Sequence, residues 1–370
     1  ILQINRLYFI DAVRAFAILM MLQGHFIDTL LAVEFRDPNN LAYNTWRYFR
    51  GITAPVFFTI SGLIFTYLLI KAKEKGTLRH RMRKGVIRGL MLIGIGYALR
   101  IPIFRWFTGS FGTYFLVIDV LQCIGLSLIL IVCIYAITQK KTLIFSIVML
   151  CLGTIIFLTE PLYRNYAAEG VPLAIANYFT KDNGSVFTII PWFGYMTYGA
   201  FIATLFYGYL IRPKFKTAIV SGFFGVGFGL IYGSTPLIHW LALLTDFSLF
   251  IEVANYNYLF IRLGNVLLLF GLFYALETYL KHPTILKIGQ KTLSIYIIHF
   301  ILLYGSFTGW GLNRIFGKNL TPFEAIIGAF CFLVTVSLIS IYIIKANTQV
   351  YGFFRQKAYK IKVFIQSLNT

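Results

Sequence analysis

Near the start of the chain, RLYFIDAVRAFAILMMLQGHFIDTLL places ionisable groups at spacings that could carry out a group transfer inside an apolar segment. Asp11 and Arg14 stand three apart and can pair on one helical face. From Arg14 to His25 a helix advances eleven residues, which returns it to within about 20° of the same direction and about 16 Å further along its axis. Arg14 and His25 therefore share a stripe. A neutral imidazole can act as a general base or briefly carry an acyl group, and Asp28, one turn on, could orient it. The axial separation is comparable to an extended pantetheine arm, which suggests a cofactor held by its phosphates at the Arg14 end with its reactive tip at His25. The opposing reading is a structural Asp11–Arg14 pair and an interhelical hydrogen bond from His25.

Other polar groups interrupt the apolar windows. The block RGITAPVFFTISG opens with Arg50 and contains Pro55 and Ser61, which could expose backbone or hydroxyl groups to a cavity. The run KAKEKGTLRHRMRKGVIR holds eight basic residues and His80; Lys71, Arg81, Lys84 and Arg88 among them are candidate ligands for cofactor phosphates, with topology and lipid contact as the alternative role. Asp119 and Gln122 sit one turn apart with no cation in their own window, and are expected to face the same cavity as His25. Arg262, between Asn257 and Asn265, is expected to bind substrate or pair with an acid such as Glu252. His299 falls in a late apolar window with Ser294 and Tyr296 nearby, as a substrate contact or as a link between helices.

These groups must be positioned by membrane helices. The chain has 370 residues, 58% hydrophobic and 12% charged, with a mean hydropathy of +0.76, far above the range of water-soluble domains. Apolar runs of about 20 residues exclude a disordered chain, a disulfide-stapled secreted domain and a transmembrane β-barrel. The fold class expected is an all-α integral membrane protein, a polytopic bundle of about ten transmembrane helices near residues 7–30, 50–70, 86–104, 114–138, 142–159, 186–211, 217–235, 257–280, 291–310 and 322–345. Residues 1–345 form one transmembrane domain and residues 346–370 a basic cytoplasmic tail. With the N-terminus inside, 22 basic residues fall on the cytoplasmic side and nine on the other, so both termini are expected in the cytoplasm. The net charge of +20 then reflects this asymmetry and membrane lipids as partners, and no nucleic acid is expected. The chain begins at Ile1 without a methionine, so an upstream segment is expected. Cys123, Cys133, Cys151 and Cys331 are expected to be reduced packing residues, and Gly225, Gly229 and Gly233 to let a neighbouring helix approach closely. No phosphate-binding loop, serine-hydrolase elbow or metal-ligand spacing is present, so a metal-free site built on His is expected.

RLYFIDAVRAFAILMMLQGH, RGITAPVFFTISG and DVLQCIG together resemble the bacterial relatives of heparan-alpha-glucosaminide N-acetyltransferase, in the transmembrane acyltransferase superfamily. IGQKTLSIYIIH, ending at His299, is similar to a late helix of the wider membrane acyltransferase group. Ala15 stands where the family motif D-x-x-R-G has its glycine. The segment after the first span has Arg36 and no His, whereas the lysosomal enzyme has its catalytic His there and an Asn at the position of His25. The resemblance implies a multi-pass enzyme of the bacterial inner membrane that moves an acetyl group from cytoplasmic acetyl-CoA to an extracytoplasmic amino sugar. Asp11, Arg14 and His25 fall on the family's first-helix motif; with the residues read above, His25, Asp28 and Asp119 are expected to be catalytic, Asp11, Arg14, Arg50, Lys71, Arg81, Lys84 and Arg88 cofactor-binding, and Gln122, Arg262 and His299 substrate-binding. Acids of the outer loops would attract a cationic amino sugar. A homodimer is left open. A sugar O-acyltransferase acting on exopolysaccharide, lipopolysaccharide or peptidoglycan is the nearest alternative, and a proton-coupled transporter or flippase the more distant one.

Overall fold

Inside a bilayer every backbone N–H and C=O needs a partner within its own segment, and a helix provides one. The computed structural model describes residues 7–109, 111–138, 140–210 and 214–342. Its main elements are α1 (Tyr8–Leu30), α2 (Leu41–Glu74), α3 (Leu78–Arg100), α4 (Val120–Ile137), α5 (Thr142–Leu158) and α6 (Ile189–Tyr209). Then come α7 (Phe215–Thr245, with a π-turn at Gly229–Gly233), α8 (Tyr258–Ala275), α9 (Pro283–Gln290), α10 (Thr292–Tyr304) and α11 (Pro322–Tyr342). The described residues form no strand, only an isolated bridge between Leu31 and Leu320. The chain is thus an all-α, polytopic membrane protein.

Seven helices among the described residues are long and apolar enough to cross a membrane, or eight if the bent pair α9 and α10 counts as one crossing. The expected windows at 86–104 and 142–159 are helical but fall short of that standard. The first half of α3 carries Arg79, Arg81, Arg83, Lys84 and Arg88, and α5 has only 17 residues. The basic tail after residue 345, Arg6 and Arg212 lie outside the described residues.

Helix α2 starts nine residues before the expected window and has 34 residues, about 51 Å at 1.5 Å per residue. Its first turn persists because the Asn40 side chain accepts from the Tyr43 N–H at 3.1 Å. Nearer its middle it crosses α6, where a side chain on Gly62 would strike the Met196 carbonyl and one on Gly199 the Thr59 carbonyl. At the N-terminus of α1 no capping side chain comes from Leu7. Instead the Glu277 carboxylate accepts from the Phe9 N–H at 3.1 Å, and the Phe9 ring packs against Phe206 and Tyr274 at 5.5 and 4.8 Å. That contact ties α1 to α6 and α8.

Two packing expectations are corrected. Gly225, Gly229 and Gly233 have no neighbour within 4 Å of where a side chain would sit, and Gly227 makes the close approach instead, against Gly264 and Leu268 of α8. The face of α7 that meets α8 is therefore the one carrying Phe223 and Gly227. Of the cysteines only Cys123 is buried; Cys133, Cys151 and Cys331 face outward, and all four are free thiols.

Candidate functional site

Polar groups from α1 to α4 and the α9–α10 pair converge on two cavities stacked along the same helices. The inner one, 450 Å³, lies toward the basic run at the α2–α3 turn and is lined by Asp11, Arg14, Ser61, Tyr67, Lys71, Arg81 and Arg88 over an apolar floor that includes Leu92, Ile124 and Leu128. Arg14 sits 3.8 Å from Asp11 and donates to the Thr292 hydroxyl at 2.8 Å. Thr292 can be there because α9 and α10 meet at a 69° bend. Just before the bend, Gly289 lies directly on the Asp11 carbonyl, where a side chain would collide. Arg81 has its Nε buried without a hydrogen-bond partner, as expected of a guanidinium that awaits an anion.

The outer cavity is larger, 1040 Å³, and His25 lines it together with Arg47, Arg50, Arg100, Asp119, Trp192, Arg262, Tyr296 and Tyr304. Tyr304 Oη lies 3.0 Å from His25 Nδ1 and accepts at 3.4 Å from the Thr29 hydroxyl. The His299 ring stands 5.4 Å from the His25 ring, centroid to centroid. Its own nitrogens make no hydrogen bond of ordinary geometry, although the carbonyls of Ile295 and Tyr296 are close.

Arg100 grips Asp119 with two hydrogen bonds, 2.5 and 2.9 Å, and their side chains are only 8% and 11% exposed. Several buried donors around this cavity have no partner: Arg100 Nη1, Trp192 Nε1 and the hydroxyls of Thr53 and Ser306. They suit a ligand rich in oxygen acceptors.

Of the expected cofactor ligands, Asp11, Arg14, Lys71, Arg81 and Arg88 gather at the inner cavity, whereas Arg50 and Lys84 do not. Lys84 is exposed. Arg50 belongs to the outer cavity and forms an ion pair with Asp28. That pair removes Asp28 from the imidazole it was expected to orient; Tyr304 takes the Nδ1 position instead. Asp119 lines the cavity with His25 as expected, but it is neutralised across helices by Arg100. Gln122 is fully buried and lines neither cavity; its Oε1 accepts from the Asp119 N–H at 3.2 Å and its side chain packs on Gly96. His299 is likewise fully buried, behind His25 and outside the cavity lining.

The Arg14 end and the His25 end of the expected cofactor site line two separate cavities that share no lining residue. On α2 the outer cavity ends at Phe57 and the inner begins at Ser61; on α4 the same step runs from Val120 to Ile124. On α1 and α3 the step is longer, from Arg14 to Met20 and from Leu92 to Leu99, so the partition between the linings is about 6–11 Å thick along the helices. The lining is also cationic, with four arginines and one carboxylate, so outer-loop acids do not set the charge of the cavity.

Arg262 contacts neither Glu252 nor any other acid through the bond it makes here. Pro55 has no N–H to offer the Gly51 carbonyl four residues back, and Arg262 Nη1 donates to that carbonyl at 2.9 Å. Arg262→Ala should therefore destabilise the protein by about 1–3 kcal/mol through an unpaired carbonyl. Adding Pro55→Ala should return part of that loss by restoring the helical donor. Thermal unfolding in detergent checks this, and strictly additive effects would contradict it.

Sequence reasoning missed Tyr304 and Arg100 as site residues, since an aromatic at the end of an apolar window and a cation at a helix end carry no local signal. It also missed the side pocket beside the outer cavity, 260 Å³, lined by Glu160, Tyr163, Arg164, Lys181, Tyr256 and Tyr258 among others. There burial pushes the Tyr163 phenol up, and the hydrogen bond to Glu160 pushes the Arg164 guanidinium up, so both stay protonated.

Residues 6–244 match the family model described as heparan-alpha-glucosaminide N-acetyltransferase, catalytic. No curated protein matches the chain.

Proposed function

Because the chain belongs to the heparan-alpha-glucosaminide N-acetyltransferase family and carries its catalytic acetyltransferase domain, we propose that it moves an acetyl group from cytoplasmic acetyl-CoA to an amino sugar on the opposite side of a bacterial inner membrane. The observation that carries this reading is the pair of cavities back to back on the same helices, a basic one at the Arg-rich α2–α3 turn and a donor-rich one at His25. The basic turn lies on the cytoplasmic side by the positive-inside rule.

Arg14, Lys71, Arg81 and Arg88 would hold the phosphates of acetyl-CoA, and the unpartnered Arg81 Nε supports that fit. When bound, the thioester supplies an activated acyl group. In the tautomer that donates from Nδ1 to Tyr304, His25 keeps a lone pair on Nε2. His25 Nε2 then receives the proton that the sugar amine loses as its nitrogen bonds to the acyl carbon, and returns it to the departing sulfur. The arginine-lined cavity helps before that step, because nearby positive charge disfavours the ammonium form of a bound amine and leaves the nucleophilic neutral form. Arg100 and Trp192, which line that cavity, would donate to sugar oxygens. Access from the inner cavity requires the partition between Phe57 and Ser61 to part.

Purified protein in detergent should release CoA from acetyl-CoA when glucosamine is supplied, with formation of N-acetylglucosamine. Arg81→Glu together with Arg88→Glu should raise KM for acetyl-CoA at least about tenfold, through loss of two phosphate contacts, with KM for the sugar unchanged. CoA release that does not depend on an amino sugar would overturn the proposal.

A further inference from the structure

The side pocket shares a wall with the outer cavity. Tyr256 lines both, and the run from Ile190 to Trp192 changes sides, with Ile190 and Pro191 in the pocket and Trp192 in the cavity. Its polar groups are held in place: Glu160, only 4% exposed, forms an ion pair with Arg164, which lies 4.6 Å over the Tyr256 ring. The Tyr163 hydroxyl is tied to the Ile156 carbonyl at 2.7 Å, and Arg262 of the outer cavity lies 5.6 Å from the Tyr258 ring. The Lys181 ammonium is exposed and makes no hydrogen bond or ion pair with the described residues. Aromatic walls with a few fixed polar groups are the usual lining of a small-molecule site.

We propose that this pocket is a second sugar subsite, which takes the unit next to the one acetylated, so that the preferred acceptor is an oligosaccharide of at least two rings. The proposal rests on the acetyl-transfer reading for which ring sits in the outer cavity. The tyrosine rings pack against the apolar face of the second ring, while Lys181 and Arg164 donate to its oxygens. A single ring in the outer cavity leaves this surface wet; a linked second ring covers it without a further loss of overall translational freedom.

The test uses the full chain in detergent with acetyl-CoA and β-1,4-linked glucosamine as monosaccharide, disaccharide and trisaccharide, and binding of the same sugars by calorimetry. The oligomers should exceed glucosamine about tenfold in kcat/KM and in affinity. In Tyr166→Ala with Lys181→Ala, both exposed side chains at the pocket, the oligomer advantage should largely vanish while kcat/KM for glucosamine holds. Equal kcat/KM for all three sugars, or oligomer binding that the double variant does not weaken, would overturn the subsite and leave acetyl transfer standing. Oligomer binding that the variant weakens, with no transfer to any sugar, would support the subsite and reject the acetyl-transfer reading.

Discussion

Replacing His25 by alanine is expected to lower acetyl transfer about a thousandfold, the loss that follows removal of a positioned general base. Acetyl-CoA affinity should stay close to that of the unaltered protein, because the inner cavity is lined by other residues and separated from His25 by the partition. His25→Gln is the stricter version, since an amide can still meet Tyr304 but cannot take up a proton at neutral pH. Both variants should show this split between a collapsed kcat and an unchanged donor affinity. Near-normal turnover in either would remove His25 from the mechanism.

The second large effect concerns stability. Arg100 and Asp119 face each other almost out of contact with solvent, joined by two hydrogen bonds. Removing one member of such a pair strands the other, at a cost of about 3–5 kcal/mol. Arg100→Ala should therefore unfold on extraction or melt far below the unaltered protein in a fluorescence-monitored thermal ramp. Arg100→Met with Asp119→Asn removes both charges and should recover most of the loss. If Arg100→Ala melts normally, the pair does not hold α3 to α4.

Much of this arrangement was legible because its signals are local. The Asp11–Arg14 pair needs only a spacing of three, the basic run needs only its own charges, and both meet at the inner cavity. His25 stood out because its spacing from Arg14 puts both on one stripe of α1, and it lines the outer cavity. Its partner was misread: Asp28 is the nearest acid in sequence, yet a cation on α2 holds it, and the phenol at Nδ1 comes from residue 304. The same distance hides the Arg100–Asp119 pair, which joins the end of one helix to the start of another. The cysteines show a different limit. Lipid and protein core are both apolar, so hydropathy cannot tell which side of a membrane helix faces which, and Cys133, Cys151 and Cys331 turned outward. Chain entry was misplaced at α2 for a third reason: Asn40 caps a helix that continues past the apolar stretch.

The thin septum between Phe57 and Ser61 also has an electrical meaning. An acetyl group is neutral, so its passage does no work against the membrane voltage, whereas one proton crossing the full field would exchange about 2.3 kcal/mol per 100 mV. A permanently open aqueous path at this point would short-circuit an energised bilayer. One to two turns of helix provide insulation that a slender uncharged chain could breach briefly without letting ions follow.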